Sequence, residues 1–213
     1  MYYLCCAAIG YLLGSVNPSY IIGKIKKTDL RTSGTKNLGA SNAFMHFGRF
    51  WGAFVMLFDI LKAFAAVKLC QLLFHELLYA GLVAGSACVL GHNYPFYLKF
   101  KGGKGLASYG GVVLGISPLL FLLLLVGCTV LAFIFNYGCV IALSAAVLFP
   151  FLVWIKFGSA LAFVIAAICS VSVFFKHTQN IKRILSGEET KFRAFISKYV
   201  IKLKGTSSQN VDA

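Results

Sequence analysis

Apolar residues run along this chain in long blocks, and the polar positions are gathered between them. Segments 2–23, 50–74, 77–98 and 157–175 are each apolar over roughly the ~20 residues that a bilayer-crossing helix requires. A further block, 105–155, has room for two long helices or three short ones. Turn-forming breaks at Ser117-Pro118 and Asn136-Tyr137-Gly138 divide it into three. The first of these, about 105–116, is too short to cross a full bilayer at ~1.5 Å per residue. The loop before it is therefore expected to dip into the membrane, lined by protein and not by lipid.

Charge placement supplies an independent vote. Of the 20 Lys and Arg residues, 17 fall in three short polar segments, at 24–49, 99–104 and 176–204. Basic segments between apolar spans mark the cytoplasmic side. Two crossings separate the first segment from the second, so an even number must separate the second from the third. Together with span 157–175, this requires an odd number inside block 105–155, and three satisfies it. The expected fold is an all-α integral membrane protein with seven transmembrane helices, some short, the N-terminus outside and the C-terminus cytoplasmic. Residues 1–205 read as a single polytopic membrane domain and 206–213 as a polar, disordered tail. Met1–Gly23 lacks a basic n-region and a small-residue cleavage site, so it reads as a retained span.

Composition narrows the function classes. The chain is 59% hydrophobic and 12% charged, with a net charge of +14, against about 45–50% and 25% in soluble domains. This excludes an ordinary soluble enzyme, a disordered chain and a nucleic-acid-binding module. The seven cysteines all lie in apolar stretches without paired metal-ligand spacing, and read as packing residues. No metal site, cofactor or nucleic-acid partner is expected.

The chemistry resides in the three polar segments. The first, Asp29 to Asn42, packs hydroxyl, amide and glycine residues around Arg31 and Lys36. Such glycines let backbone N–H groups converge on an anion, although the same composition also suits a solvated turn. The second contains Gly102-Gly103-Lys104-Gly105 entering a helix, a ready anion site. It is not a nucleotide P-loop, because Gly105 and not Ser or Thr follows Lys104. In the third, His177 and Asn180 are three apart and share a helix face. Asp59 and Lys62, inside the second span, are expected to pair; a functional role and a structural ion pair are both open for them. Donors and cations recur in all three segments while acids are few, so the expected ligand is a phosphate, with the spans providing walls for an acyl chain.

These segments resemble the motifs of the bacterial acyl-phosphate:glycerol-3-phosphate acyltransferase family, PlsY, in order and spacing over nearly the whole chain. The first is similar to GSGNxGATN, the second to GHxFPxFxxFKGGKG, and the third to RHxxNIxRLxxGxE at His177, Asn180, Ile181, Arg183, Gly187 and Glu189. The resemblance implies acyl transfer from an acyl-phosphate to the sn-1 hydroxyl of glycerol 3-phosphate. It also implies a seven-span inner-membrane fold with a cytoplasm-facing site, no cofactor, membrane lipid as surroundings and no required protein partner. It assigns Thr35, Lys104, His177 and Asn180 to catalysis. It assigns Gly34, Asn37, Gly39, Ser41, Asn42, His92, Gly102, Gly103, Gly105, Arg183 and Glu189 to substrate or phosphate binding, with Ala40 part of the same surface; Lys36 and Arg49 join them as this chain's own cations, available where Met45 stands for the family's Arg. Apart from conservative exchanges such as Tyr94 for Phe, four departures bear on the site. Thr35 stands for Ser, Lys36 for Gly, Met45 for Arg, and Lys176 for the third motif's leading Arg.

The His-to-Asp spacing of other glycerolipid acyltransferases is missing. Trp51, Ala80, Tyr97 and Lys182 lie five residues after the four histidines. Two other classes compete. A transporter of a phosphorylated anion would be expected to show an internal repeat, which the three segments do not form. A non-catalytic anionic-lipid binder would need the cations but not the glycine and amide pattern.

Overall fold

A computed structural model describes residues 1–201, so the predicted tail at 206–213 lies outside the described residues. The elements are α1 (Tyr2–Ser15), α2 (Pro18–Ile25), α3 (Ala40–Leu73), α4 (Ala80–Asn93), a 3-10 turn (Phe96–Leu98), α5 (Leu106–Ile116), α6 (Pro118–Phe135), α7 (Cys139–Phe157), α8 (Ala160–Lys176), α9 (Thr178–Leu185), α10 (Phe192–Phe195) and a final π turn (Ile196–Ile201). The chain is a multi-pass membrane protein. Tyr2–Ile25, Pro118–Phe135 and Cys139–Phe157 are long and apolar enough to cross a bilayer, and α8 with α9 forms a fourth such stretch, bent by 46°. Only 17% of α6 is buried within the protein. Its exposed leucines suit a lipid environment, because its backbone is satisfied within the helix.

The breaks follow from local chemistry. Block 105–155 divides into α5, α6 and α7, with Ser117 accepting the Leu120 N–H as N-cap of α6 and Asn136 in the left-handed region (φ 58°) ending it. Span 2–23, expected as one helix, is interrupted at Val16-Asn17. The Asn17 side chain accepts the Tyr20 N–H and Pro18 opens α2, so a cap replaces continuation. Helix α3 begins ten residues before its predicted span and kinks at Gly48, where φ is 83° and ψ is 178°. Span 77–98 shortens to the 14 residues of α4, because Tyr94-Pro95 diverts the chain into the 3-10 turn.

Glycines allow close packing of the helices nearest the site. Gly10 and Gly14 of α1 lie against the Ala84 and Cys88 carbonyls of α4, and Gly91 lies against the Tyr11 carbonyl. Gly111 of α5 similarly meets the Ile60 carbonyl of α3. This is the small-residue packing of membrane helices, where backbone proximity replaces hydrophobic drive. Gly14→Ala would put a Cβ on the Cys88 carbonyl, with an expected cost of about 1–3 kcal/mol. The thermal midpoint in detergent should fall; an unchanged midpoint would mean that α1 and α4 separate freely.

Helix α5 occupies the centre. Its buried Tyr109 places its hydroxyl 2.6 Å from Ser170 Oγ of α8 and its ring against Phe149 of α7 in an edge-to-face pair, centroids 5.1 Å apart. At the polar end, the chain after α9 returns to the α6–α7 turn. Phe192 N–H donates to the Asn136 carbonyl, Arg193 N–H to Asn136 Oδ1, and Lys191 Nζ to the Tyr137 hydroxyl at 2.6 Å.

Candidate active site

Three polar segments converge at this end. The first is organised by Asn42, which is fully buried in the first turn of α3. Its Nδ2 donates to the carbonyls of Leu30, Ser33 and Asn37 at 2.9–3.0 Å, and its Oδ1 accepts the Thr35 N–H. Asn37 accepts the Gly39 N–H and donates to Thr35 Oγ1 at 2.7 Å. The Lys36 N–H donates to the Ser33 carbonyl. The expected open nest of N–H groups is therefore closed at Thr35, Lys36 and Gly39, whose donors shape the loop. Asn37 and Asn42 likewise serve the loop and do not present their amides outward. What the segment presents is the Thr35 hydroxyl, the Lys36 side chain, and the first-turn N–H groups of α3 at Ala40, Ser41 and Asn42, which have no partner within the helix.

Two positions in this loop have left-handed backbone. Gly34 (φ 58°) lies beneath His46 and Asn42, so a side chain there would overlap both. Lys36 (φ 53°) takes the same region with a Cβ, at a cost of about 1–2 kcal/mol. The lysine thus keeps the turn that glycine would make without strain. Arg49 follows the Gly48 kink, exposed on α3.

The second segment packs onto the first through an apolar cluster of Leu98 with Leu30, Leu38, Ile22 and Val55. A cleft of about 450 Å³ between them is lined by Tyr20, Asp29, Arg31, Thr32, Tyr97, Leu98, Lys99 and Lys101. Gly102 and Gly103 do not offer N–H groups to a ligand. They donate to the carbonyls of Asn93 and His92 at 3.2 and 3.1 Å, stitching the loop to the end of α4. Both need glycine because a Cβ would strike that same helix end. Lys104 and the start of α5, led by Gly105 (φ 83°), remain to face an anion.

Lys104 joins the second segment to the third. Its Nζ donates to Asn180 Oδ1 at 2.5 Å. Asn180 Nδ2 donates to Glu189 Oε1, and Arg183 Nε to Glu189 Oε2, both at 2.6 Å. Glu189 was expected on the substrate, but its carboxylate holds Asn180 and Arg183 in place and would repel a phosphate. The buried His177 donates from Nδ1 to the Val173 carbonyl at 2.8 Å, since a carbonyl only accepts. Its Nε2 is thereby left as an acceptor. His92 is also buried and placed away from the loop surface, with Nδ1 3.0 Å from Lys62 Nζ. Among the described residues, no group of three or more His, Cys, Asp or Glu is placed to hold a metal.

Sequence reading missed His46, whose Nδ1 lies 3.2 Å from the Asn42 carbonyl and whose ring packs over Gly34; its four-residue spacing from Asn42 on a helix is the available signal. It also missed Ser172, which accepts from Asn93 Nδ2 at 2.8 Å and fixes α8 to the loop-bearing end of α4.

Burial and the nearby Arg183 guanidinium hold the Lys104 ammonium down at about 8, well below the usual ~10.4. It is protonated below that pH and neutral above it, whereas a bound phosphate selects the charged form. The KM for a phosphorylated substrate is expected to be flat near pH 7 and to rise up to about tenfold per pH unit above 8. A flat KM up to pH 10 would take Lys104 off the substrate.

A helical membrane protein with a built, cation- and amide-lined site at one polar end is thus defined. The family model for glycerol-3-phosphate acyltransferase matches residues 4–187. A glycerol-3-phosphate acyltransferase of Thermoanaerobacter pseudethanolicus is 38% identical over 193 residues, covering 90% of this chain and 96% of its own length. One of Clostridioides difficile is 35% identical, with 89% and 95% covered. The crystal structure of PlsY (YgiH), an integral membrane glycerol 3-phosphate acyltransferase, in its glycerol 3-phosphate form superposes with a TM-score of 0.82 at 30% identity, covering 90% of this chain and 96% of that one. Its lysophosphatidic acid form gives 0.80 at 27%, with 92% and 99% covered. The chain belongs to the glycerol-3-phosphate acyltransferase family.

Proposed function

We propose that this protein transfers an acyl group from an acyl-phosphate to the sn-1 hydroxyl of glycerol 3-phosphate, giving 1-acyl-glycerol 3-phosphate and inorganic phosphate. The observation that carries the reading is the Lys104–Asn180–Glu189–Arg183 chain, with the acceptor Nε2 of His177 on the residue three before Asn180. It offers a cation for phosphate and a neutral acceptor for a hydroxyl, within one segment pair.

In this reading Lys104 and the first turn of α5 hold a phosphate, and Thr35, Lys36 and the first turn of α3 bind the second phosphorylated substrate. His177 Nε2 accepts a hydrogen bond from a glycerol hydroxyl and orients it. The sn-1 oxygen attacks the acyl carbon, an ester C–O bond forms, and the bond from carbon to the phosphate oxygen breaks. Phosphate departs with that electron pair. The hydroxyl proton passes to the departing phosphate, which leaves as hydrogen phosphate; with every oxygen ionised as the bond breaks, it is a far stronger base than a buried imidazole. An acyl-phosphate is already activated, so positioning and charge stabilisation supply the catalysis.

The membrane arrangement is part of the proposal: seven crossings with the site on the cytoplasmic side of the bacterial inner membrane. Hydrogen bonds from residues 191–193 to the α6–α7 turn support it, because they put that turn and the third basic segment on one side. The test supplies glycerol 3-phosphate with palmitoyl phosphate or palmitoyl-CoA to the purified protein. Lysophosphatidate acylated at sn-1 from the acyl-phosphate alone is expected; product from the thioester would refute the donor.

A further inference from the structure

Beneath the site lies a charged cluster to which the proposed reaction gives no part. Asp59 and Lys62 of α3 and His92 of α4 are all almost fully buried. Lys62 Nζ is 2.7 Å from Asp59 Oδ1, 2.7 Å from the Val16 carbonyl at the α1–α2 break, and 3.0 Å from His92 Nδ1. His92 Nδ1 is also 3.2 Å from Asp59 Oδ1. An ammonium has three protons and no acceptor; Lys62 bonds the Val16 carbonyl and His92 Nδ1, while the Asp59 carboxylate lies beside it as the counter-charge, its Oδ1 in ion-pair contact but without a hydrogen bond among the described residues. Were Nδ1 to carry a proton toward Asp59, one buried proton of Lys62 would lose its acceptor.

A simple structural ion pair would need only Asp59 and Lys62, one helical turn apart. The third member comes from another helix, and it is the residue on which the anion loop rests. The His92 carbonyl accepts the Gly103 N–H at 3.1 Å, and a Cβ at Gly103 would overlap the His92 ring, with Nε2 the nearest atom. Lys104 is the next residue, and its ammonium reaches Asn180.

We infer that Asp59, Lys62 and His92 form a positioning device for Lys104, in which the Lys62 ammonium holds His92 as the tautomer protonated on Nε2, the nitrogen turned to Gly103. Asp59 neutralises Lys62, and Lys62 ties the arrangement to the α1–α2 break. None of the three contacts substrate; they act through the loop. A buried ion pair is weak evidence of stability, and replacing such a pair by apolar residues of similar volume is often neutral or stabilising. The cluster therefore has a reason to be ionic beyond holding helices together.

The kinetic arm of this inference rests on the acyltransferase reading, whereas its spectroscopic arm does not. The experiment uses the full chain in detergent, labelled with nitrogen-15 histidine, with the His92 signal assigned by its loss in His92→Gln. Long-range proton–nitrogen correlation should show the Nε2-protonated form in the unaltered protein. The double variant Asp59→Leu/Lys62→Met removes both charges, so it avoids the unpaired carboxylate that Lys62→Met alone would leave. It is expected to fold with a thermal midpoint no lower than the parent, to show mixed His92 tautomers, and to lose at least about tenfold in kcat/KM. An Nδ1-protonated His92 in the unaltered protein would overturn the inference. So would a double variant with parental kcat/KM, or one whose only change is a lower midpoint. Should the unaltered protein transfer no acyl group, the proposed function fails, and the tautomer measurement still decides the Lys62–His92 arrangement.

Discussion

Lys104→Ala is expected to lower kcat/KM by about 10²–10³ while leaving the thermal midpoint nearly unchanged. The ammonium belongs to the glycine loop and reaches the third segment through Asn180 at 2.5 Å. In a half-buried site its attraction for phosphate is far stronger than in water. Its removal also leaves Asn180 Oδ1 without its donor, but Asn180 stays held by Glu189. Lys104→Arg should restore little, because a planar fork does not occupy the place of a compact point charge. Parental turnover in Lys104→Ala would remove the residue from the phosphate site.

Asn180→Ala and His177→Ala should act on the acceptor. Asn180 lies between Lys104 and Glu189, so its loss brings a cation and a carboxylate together and closes the space a phosphate would occupy. The expected result is a KM for glycerol 3-phosphate raised by about 10–100-fold. For His177→Ala the loss is a single hydroxyl acceptor worth about 1–2 kcal/mol, or roughly tenfold. The KM for acyl-phosphate should move much less in both. If neither variant changes the glycerol 3-phosphate dependence, these side chains are structural.

The sequence carried the breaks that turn chemistry enforces. Ser117-Pro118 and Asn136-Tyr137-Gly138 stop helices whatever surrounds them, because a cap, a proline and a left-handed asparagine act locally. Asn17-Pro18 is the same kind of signal, yet the apolar residues on both sides mask it in a reading by hydropathy. The anion-site residues were legible as types and not as roles. That Gly102, Gly103 and Gly39 direct their N–H groups inward depends on which carbonyl or amide lies behind them, and those come from residues 92, 93 and 37. Glu189 similarly reads as part of a binding motif, while its partners show a brace. The pairing of Asp59 with Lys62 follows from spacing on one helix. The arrival of His92 from a second helix does not, since no local pattern encodes how α3 and α4 pack.

The most direct measurement follows phosphate release and lysophosphatidate together, in vesicles holding the purified protein and supplied with palmitoyl phosphate with or without glycerol 3-phosphate. The account predicts phosphate and lysophosphatidate in equal amounts, and neither without glycerol 3-phosphate. Phosphate released in the absence of glycerol 3-phosphate, or glycerol 3-phosphate crossing the vesicle wall without being acylated, would contradict it.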